Sequence, residues 1–212
     1  MLKRFCTVLA SVLVVSLNGQ ALRAEPFDYY VLALSWNAAW CEREGDARKA
    51  DQCHPRHDHG FTLHGLWPQN EVGWPEFCRT SERDPSRAQT RDMRDIMGSP
   101  GLAWHQWKKH GRCTGLSATD YFTLSREAYS RIARPEILRK ITRPMNVPPR
   151  VIEDAFIEAN TGLSAGQITV TCKSKQLAEI RICLDKSLDF RACSGKVARD
   201  CTQKTVIVPP MR

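Results

Sequence analysis

Apolar side chains fill nearly every position of residues 27–36 (FDYYVLALSW), with aromatic and β-branched types among them. A run that short and that uniformly apolar reads as a buried strand. Polar, aperiodic sequence follows over 37–60 and reads as a loop carrying Cys41 and Cys53. At 61–64 the pattern alternates. Phe61 and Leu63 point one way, Thr62 and His64 the other, in a strand that Gly65 and Pro68 should end. Residues 69–85 read as another loop, holding Trp74, Pro75 and Cys78. Helical patterning then takes over. One helix is expected at 87–97, broken by Gly98-Ser99-Pro100-Gly101, and a second over 104–113. Ser117 and Asp120 form a capping-box-like start for a third, running to about Ile132. Pro135 suits the first position of a short helix to 141. Pro144, Pro148 and Pro149 break the chain, and Val151, Ala155, Phe156 and Ala159 then make a helical stripe closed near Gly162. Strands are expected again at 167–173, 177–184 and 205–208. Helices cluster centrally with strands on either side. That excludes regular βαβ alternation and predicts an α+β fold with a largely antiparallel sheet.

Composition and the N-terminus set the bounds of this fold. The chain has 212 residues, 42% hydrophobic and 8% aromatic, which suits one domain with a sizeable core. Lys3 and Arg4 precede a short apolar stretch at 8–17, and small residues follow, as in a signal peptide. The apolar part is too short to span a membrane as a helix. Cleavage fits after Ala21 or after Ala24; with the latter, 1–24 is the signal and 25–212 a single domain. No later stretch is apolar enough for an anchor, so the chain is expected to be secreted or periplasmic. Net charge is +8, and losing Lys3, Arg4 and Arg23 with the signal lowers it to about +5. Such a balance favours an anionic partner such as nucleic acid. Of nine cysteines, Cys6 lies in the signal, and the other eight are Cys41, Cys53, Cys78, Cys113, Cys172, Cys183, Cys193 and Cys201. An even number in an exported chain implies disulfides rather than a zinc site, and no C-x-x-C pair is present. Their spacing leaves the connectivity open.

The densest polar chemistry lies in 104–113, WHQWKKHGRC. On a helix, residues four apart stack, so His105 meets Lys109 and Gln106 meets His110. One short face then carries two imidazoles, an amide and an ammonium. Trp104 and Trp107 lie on a neighbouring stripe suited to the core. Gly111 suits a helix stop, and Cys113 a covalent anchor. The competing reading is a solvated basic face with two incidental histidines. The stretch FTLHGLWPQ at 61–69 weighs against it, because it places His64 at a strand end, away from the Phe61 and Leu63 side. His110 is a candidate partner for it.

FTLHGLWPQ followed by WHQWKKHGRC resembles the two active-site segments of the ribonuclease T2 family, secreted endoribonucleases of broad base tolerance. FDYYVLALSW resembles the family's first strand, and the late cysteines resemble its C-terminal pattern. The resemblance implies a metal-independent endonuclease, with no cofactor, acting on single-stranded RNA. It would give 2′,3′-cyclic phosphate and then 3′-phosphate ends, leave DNA uncut, and act as a monomer. The residue types suit that chemistry. Imidazole serves as base or acid near neutral pH, and a lysine stabilises charge on the phosphorane oxygens. By the resemblance, His64 and His110 are the acid–base pair, leaning towards His110 as base, although the sequence leaves the direction open. Lys109 would stabilise the phosphorane, and His105 would bind phosphate. Trp67 would help form a base-binding surface, with Gln69 beside it. The family pattern has glutamate where this chain has Gln106, which keeps length and hydrogen bonding but not charge. Retained activity is expected; the alternative is a catalytically weak or inactive secreted RNA-binding protein. The implied disulfides are Cys78–Cys113, Cys172–Cys201 and Cys183–Cys193, which leaves Cys41 with Cys53.

Three further groups carry weaker readings. His54, His57 and His59 form either an exposed polar loop or, with His64, part of a zinc hydrolase site. Trp36, Trp40 and Trp74 are expected in the core. Arg131, Arg134, Arg139, Lys140 and Arg143 form a solvated face or a non-specific RNA-tracking surface.

Overall fold

A computed structural model describes residues 26–212, so the signal-peptide expectation for 1–24 and Cys6 lie outside the described residues. Strand β1 (Tyr29–Trp36) occupies the run read as a buried strand, and seven of its eight residues are buried. It pairs antiparallel with β2 (Phe61–Gln69) on one side and β5 (Gln176–Leu184) on the other. β4 (Ile168–Lys173) pairs antiparallel with β5. The short strands β6 (Val206–Val208) and β3 (Met145–Val147) extend the sheet, β6 meeting β5 in parallel. Mixed α+β architecture with a mainly antiparallel sheet is what the central clustering of helices predicts.

Each β1 face has its own company. Leu32, Leu34 and Trp36 point into the main core, with Leu63 and Leu66 from β2 and Ile180 and Ile182 from β5. The helices α2 (Arg87–Asp92), α3 (Arg94–Met97), α4 (Pro100–Lys109) and α5 (Ala118–Arg131) supply Met97, Ala103, Trp107 and Tyr121 to the same core, joined by Met93 from between α2 and α3. On the other face of the sheet, Tyr29, Val31 and Cys183 form a small second cluster with Val197. That face stays largely uncovered by helices and is where the polar side chains gather.

Several elements differ from expectation. β2 does not stop at Gly65 or Pro68 but runs on to Gln69. It survives because an irregularity re-sets its register: Ala33 faces Gly65 while Leu34 faces Leu63, and His64 is the extra residue between them. The helix expected at 87–97 is two, separated at Met93. Pro100 and Gly101, expected as breakers, lie in the first turn of α4, where a proline has no N–H to waste. Ser99 caps that turn, its hydroxyl accepting from the Leu102 N–H at 3.1 Å. The loop at 37–60 contains the short helix α1 (Asn37–Trp40), continued by a wider turn over Cys41–Gly45. Pro149, also expected as a breaker, opens α7 (Pro149–Ala159), which buries Ile152 and Phe156 while Val151 is exposed. The helix expected from Pro135 is the single turn α6 (Glu136–Arg139). Trp104 and Trp74 are exposed rather than core residues.

Disulfides join Cys41–Cys53, Cys78–Cys113, Cys172–Cys201 and Cys183–Cys193. Cys78–Cys113 ties the loop after β2 to the turn just past α4. The Phe77 N–H reinforces the tie by donating to the Lys109 carbonyl at 2.9 Å, one of the helix-end carbonyls left without an intrahelical donor. Cys78 and Cys113 are 35 residues apart, so replacing both with alanine should lower the unfolding free energy by about 2–4 kcal/mol, the usual effect of opening a loop of that length. Chemical denaturation under oxidising conditions measures it; an unchanged midpoint would show that the tie adds nothing.

Candidate active site

Two cavities open on the sheet face that carries His64 and Trp67, walled on one side by α4, and they meet at His64 and Arg181, which line both. The smaller, about 380 Å³, brings together every residue picked out from the two motifs: His64, Trp67, Gln69, His105, Gln106, Lys109 and His110. Trp74, Lys196 and Val197 complete its wall.

The register irregularity in β2 builds one half of this site. Regular alternation after Leu63 would send Trp67 into the helix-packed core. The extra residue flips the parity, so Leu66 enters the core and Trp67 stays on the same face as His64. His64 then reaches across β1 to β5. Its Nδ1 hydrogen-bonds the Glu179 carboxylate, although β2 and β5 are two strand spacings apart, about 10 Å. The crossing is open because, where His64 passes over it, β1 presents the small side chains of Ala33 and Ser35, opposite Arg181 and Glu179. Arg181 grips the same carboxylate through Nε at 3.0 Å and a terminal guanidinium nitrogen at 2.8 Å. Burial pushes the Glu179 carboxyl up, but the hydrogen bonds and charges of His64 and Arg181 outweigh it and hold the group at about 2. Glu179 is therefore an anion at any working pH.

Helix α4 builds the other half. Trp107 is fully buried and its indole N–H donates to Asp84 at 2.8 Å, which fixes the roll of the helix. Gln106 and His110 consequently face the sheet and are buried, while His105 and Lys109 sit at the rim. His110 follows the last helical residue, and Gly111 serves close packing against Trp107 and Tyr121 instead of a left-handed stop. Burial, helped by the positive charges of Lys109, His64 and His105, pushes the His110 imidazole down to about 3. Its Nδ1 is buried without a partner. Burial and the Lys109 charge also lower His105. Lys109 pairs with Glu76 at 3.4 Å and lies 6.0 Å from the exposed Phe77 ring.

Trp67 joins the halves. Its ring stacks on His110 at 5.3 Å and meets His64 edge-on at 5.2 Å. The Arg181 guanidinium lies over it at 5.3 Å. Its indole N–H donates to the Gln106 side chain at 2.7 Å. An indole N–H can only donate, so the accepting atom is the amide oxygen, and the Gln106 NH₂ is turned away from Trp67.

Sequence reasoning missed Glu179, Arg181 and Glu76. Glu179 and Arg181 did carry a signal: two charges, two apart, on an otherwise apolar strand sharing one face. The histidine cluster forms no metal centre. His57 stacks on His59 at 5.2 Å and pairs with Asp51 at 3.3 Å, while His64 turns to Glu179. Among the described residues, no group of three or more His, Cys, Asp or Glu is arranged to hold a metal ion, and no helix is long and apolar enough to cross a membrane. The basic run at 131–143 lines neither cavity; Arg131 pairs with Glu127 at 2.6 Å and Arg139 with Asp58 at 3.4 Å.

Residues 27–193 match the family model described as the ribonuclease T2 family. A protein named "Ribonuclease" from Aeromonas hydrophila is 31% identical over 199 residues, covering 91% of this chain and 90% of that protein. The solved structure of RNase NT in complex with 5′-AMP superposes with a TM-score of 0.69 at 24% identity, covering 88% of this chain and all of the other. An RNase-related protein from Calystegia sepium gives a TM-score of 0.66 at 22% identity, covering 87% of this chain and 98% of that one.

Gly65 lies where the two halves touch, and a Cβ there would collide with Gln106 Oε1 and Trp67 Nε1. Gly65→Ala should therefore break the Trp67–Gln106 bond and cost about 1–3 kcal/mol of stability, as overpacking does. Thermal unfolding checks this; an unchanged Tm would show that the two side chains yield freely.

Proposed function

This chain belongs to the ribonuclease T2 family and is an RNA endonuclease, and we propose that it cuts single-stranded RNA through the RNA's own 2′-hydroxyl, with His110 as base and His64 as acid. One observation carries the assignment: two imidazoles share a cavity in opposite electrostatic settings. His110 is neutral at neutral pH because burial and surrounding cations hold it at about 3. It is free to take the 2′-hydroxyl proton. So depressed a base is weak on its own, but the incoming phosphodiester is an anion and restores its basicity. His64 has the Glu179 carboxylate against Nδ1, which sets its ring and compensates its positive charge. It protonates the departing 5′-oxygen, leaving a 2′,3′-cyclic phosphate. In the second step the roles reverse: His64 takes a proton from water, His110 returns one to the 2′-oxygen, and a 3′-phosphate results. The nucleophile belongs to the substrate, so the scheme has no need of a metal.

Lys109, at the rim, stabilises the negative charge that builds on the phosphorane oxygens. His105 holds the phosphate beside it. Gln106 points its NH₂ away from Trp67 and donates to a non-bridging oxygen, a donor that is present at every pH. Trp67, Gln69 and Trp74 wall the base site, where aromatic surface favours any base. The reading includes export through a signal peptide at 1–24 to the periplasm or medium, a monomeric state, and no cutting of DNA, which lacks the 2′-hydroxyl. The competing reading is a secreted RNA-binding protein weakened by the amide at Gln106.

Oxidised protein incubated with RNA in EDTA should yield cyclic-phosphate ends first and 3′-phosphates later. His64→Ala or His110→Ala should each lower kcat/KM by about 10²–10⁴. Cleavage of DNA, dependence on added metal, or no cleavage by folded protein would overturn the scheme. Gln106→Glu separates the two readings. A carboxyl donates only when protonated, so the turnover of Gln106→Glu relative to the native enzyme should fall as pH rises through the carboxyl range. A rise of about tenfold or more at neutral pH would instead mark the native amide as a handicap.

A further inference from the structure

The larger cavity extends well past the atoms that cleavage requires. It begins at His64 and Glu179, runs to Arg43, Arg48 and Lys173, and holds about 1160 Å³, more than the roughly 300–1,000 Å³ of a pocket for one small ligand. Its far end is rich in cations that share few anions. Arg48 and Lys173 both pair with Glu44, at 3.2 and 2.8 Å. Their side chains are 68% and 63% exposed, so they are free to swing to another anion. Arg43 donates to the Gln176 side chain at 3.1 Å, while its Nε is buried with no partner. Further along, Arg94 shares Asp51 with Arg56. Each of these two carboxylates thus faces two basic side chains, and the surplus is positive. Half-buried Trp40 and Leu102 give the same groove an apolar wall.

We propose that the Arg43–Arg48–Lys173 end of this groove binds phosphates of the RNA strand on the 3′ side of the scissile bond, making polyribonucleotides the preferred substrate over dinucleotides. The direction rests on the ribonuclease reading above. His64 gives its proton to the 5′-oxygen of the leaving strand, and the groove begins at His64, so the leaving strand runs along it. The nucleotide with the attacking 2′-hydroxyl sits on the other side, against His110 and Trp67. Phosphate contacts carry no base information, so the groove adds affinity without narrowing sequence choice. Each phosphate held by these cations releases counterions, which makes the added affinity salt-dependent.

The test compares a dinucleotide with the same core extended by about six nucleotides, within the span of a typical single-strand site, at either its 3′ or its 5′ end. Native protein is set against Arg48→Gln/Lys173→Gln, whose sites are exposed and outside the chemistry. The 3′ extension should raise native kcat/KM about tenfold and the 5′ extension should not; the variant should keep the dinucleotide rate and lose most of that gain, with a salt dependence shallower by about 0.7 per phosphate contact removed. Fluorescence anisotropy with a 3′-extended chain carrying a single 2′-deoxynucleotide at the cleavage point reads binding without turnover. A variant that keeps the full gain, or a native gain that follows the 5′ extension, overturns the proposal. If nothing is cut but the deoxy chain binds native protein more tightly than the variant, the ribonuclease scheme fails and the groove assignment stands. Equal binding by both proteins would overturn the groove assignment as well.

Discussion

His64 occupies an extra position in the β1–β2 ladder, and the site is laid out from that insertion. Side chains alternate along a strand, so one added residue reverses every position after it. Without it, Leu66 would face the open side and Trp67 the core. With it, Leu66 fills the core and Trp67 stands beside His64 on the face that α4 approaches. The same face needs a clear path over β1 for His64 to reach Glu179. Ala33 and Ser35 leave that path open, and a leucine at either place would block it. Three strands therefore contribute to one contact, and only β1 contributes by having almost no side chain.

The electrostatics follow from what this geometry gathers. His64, His105, Lys109, His110 and Arg181 border one small cavity, and the carboxylates nearest them are Glu179, behind His64, and Glu76, at the rim. Burial first, and then the like charges of Lys109, His64 and His105, push the most enclosed of these groups, His110, down. The cavity is thus prepared for an anion before any anion arrives. A phosphodiester that enters relieves the repulsion. On the proposed mechanism its binding would be strongest when its charge is greatest, as the phosphorane forms.

Much of this was legible in order but not in depth. The strand at 27–36, the helix capped by Ser117 and the late strands follow from local pattern and capping chemistry, whereas Ser99-Pro100-Gly101, which reads as a break, in fact caps and opens α4. The two motifs name seven side chains that the fold does gather around one cavity. The insertion at His64 was not legible, because apolar residues at 63, 66 and 67 break the alternation of a strand and instead mimic the i, i+3, i+4 spacing of a helix; they make sense only once β1 is in register. Glu179 was missed because its partner is 115 residues away. Trp104 misled because its spacing from Trp107 suggested a shared buried stripe. Only Trp107 finds a polar partner for its indole inside the packing, at Asp84, while Trp104 stays on the surface.

Gln106 is best understood through its neighbours. It is nearly fully buried, accepts the Trp67 indole N–H and lies one helical turn before His110. A carboxylate at that place would accept the same indole hydrogen bond. It would also set an anion beside His110, favouring the protonated ring, and would repel the phosphate. The amide does neither. His110 is left with burial and neighbouring cations, which push it down, and on the proposed mechanism the phosphate would meet a donor instead of a charge. On that mechanism, an amide in place of the glutamate that the family resemblance implies would exchange intrinsic base strength for stronger attraction of the substrate anion, and the anion itself would return the basicity.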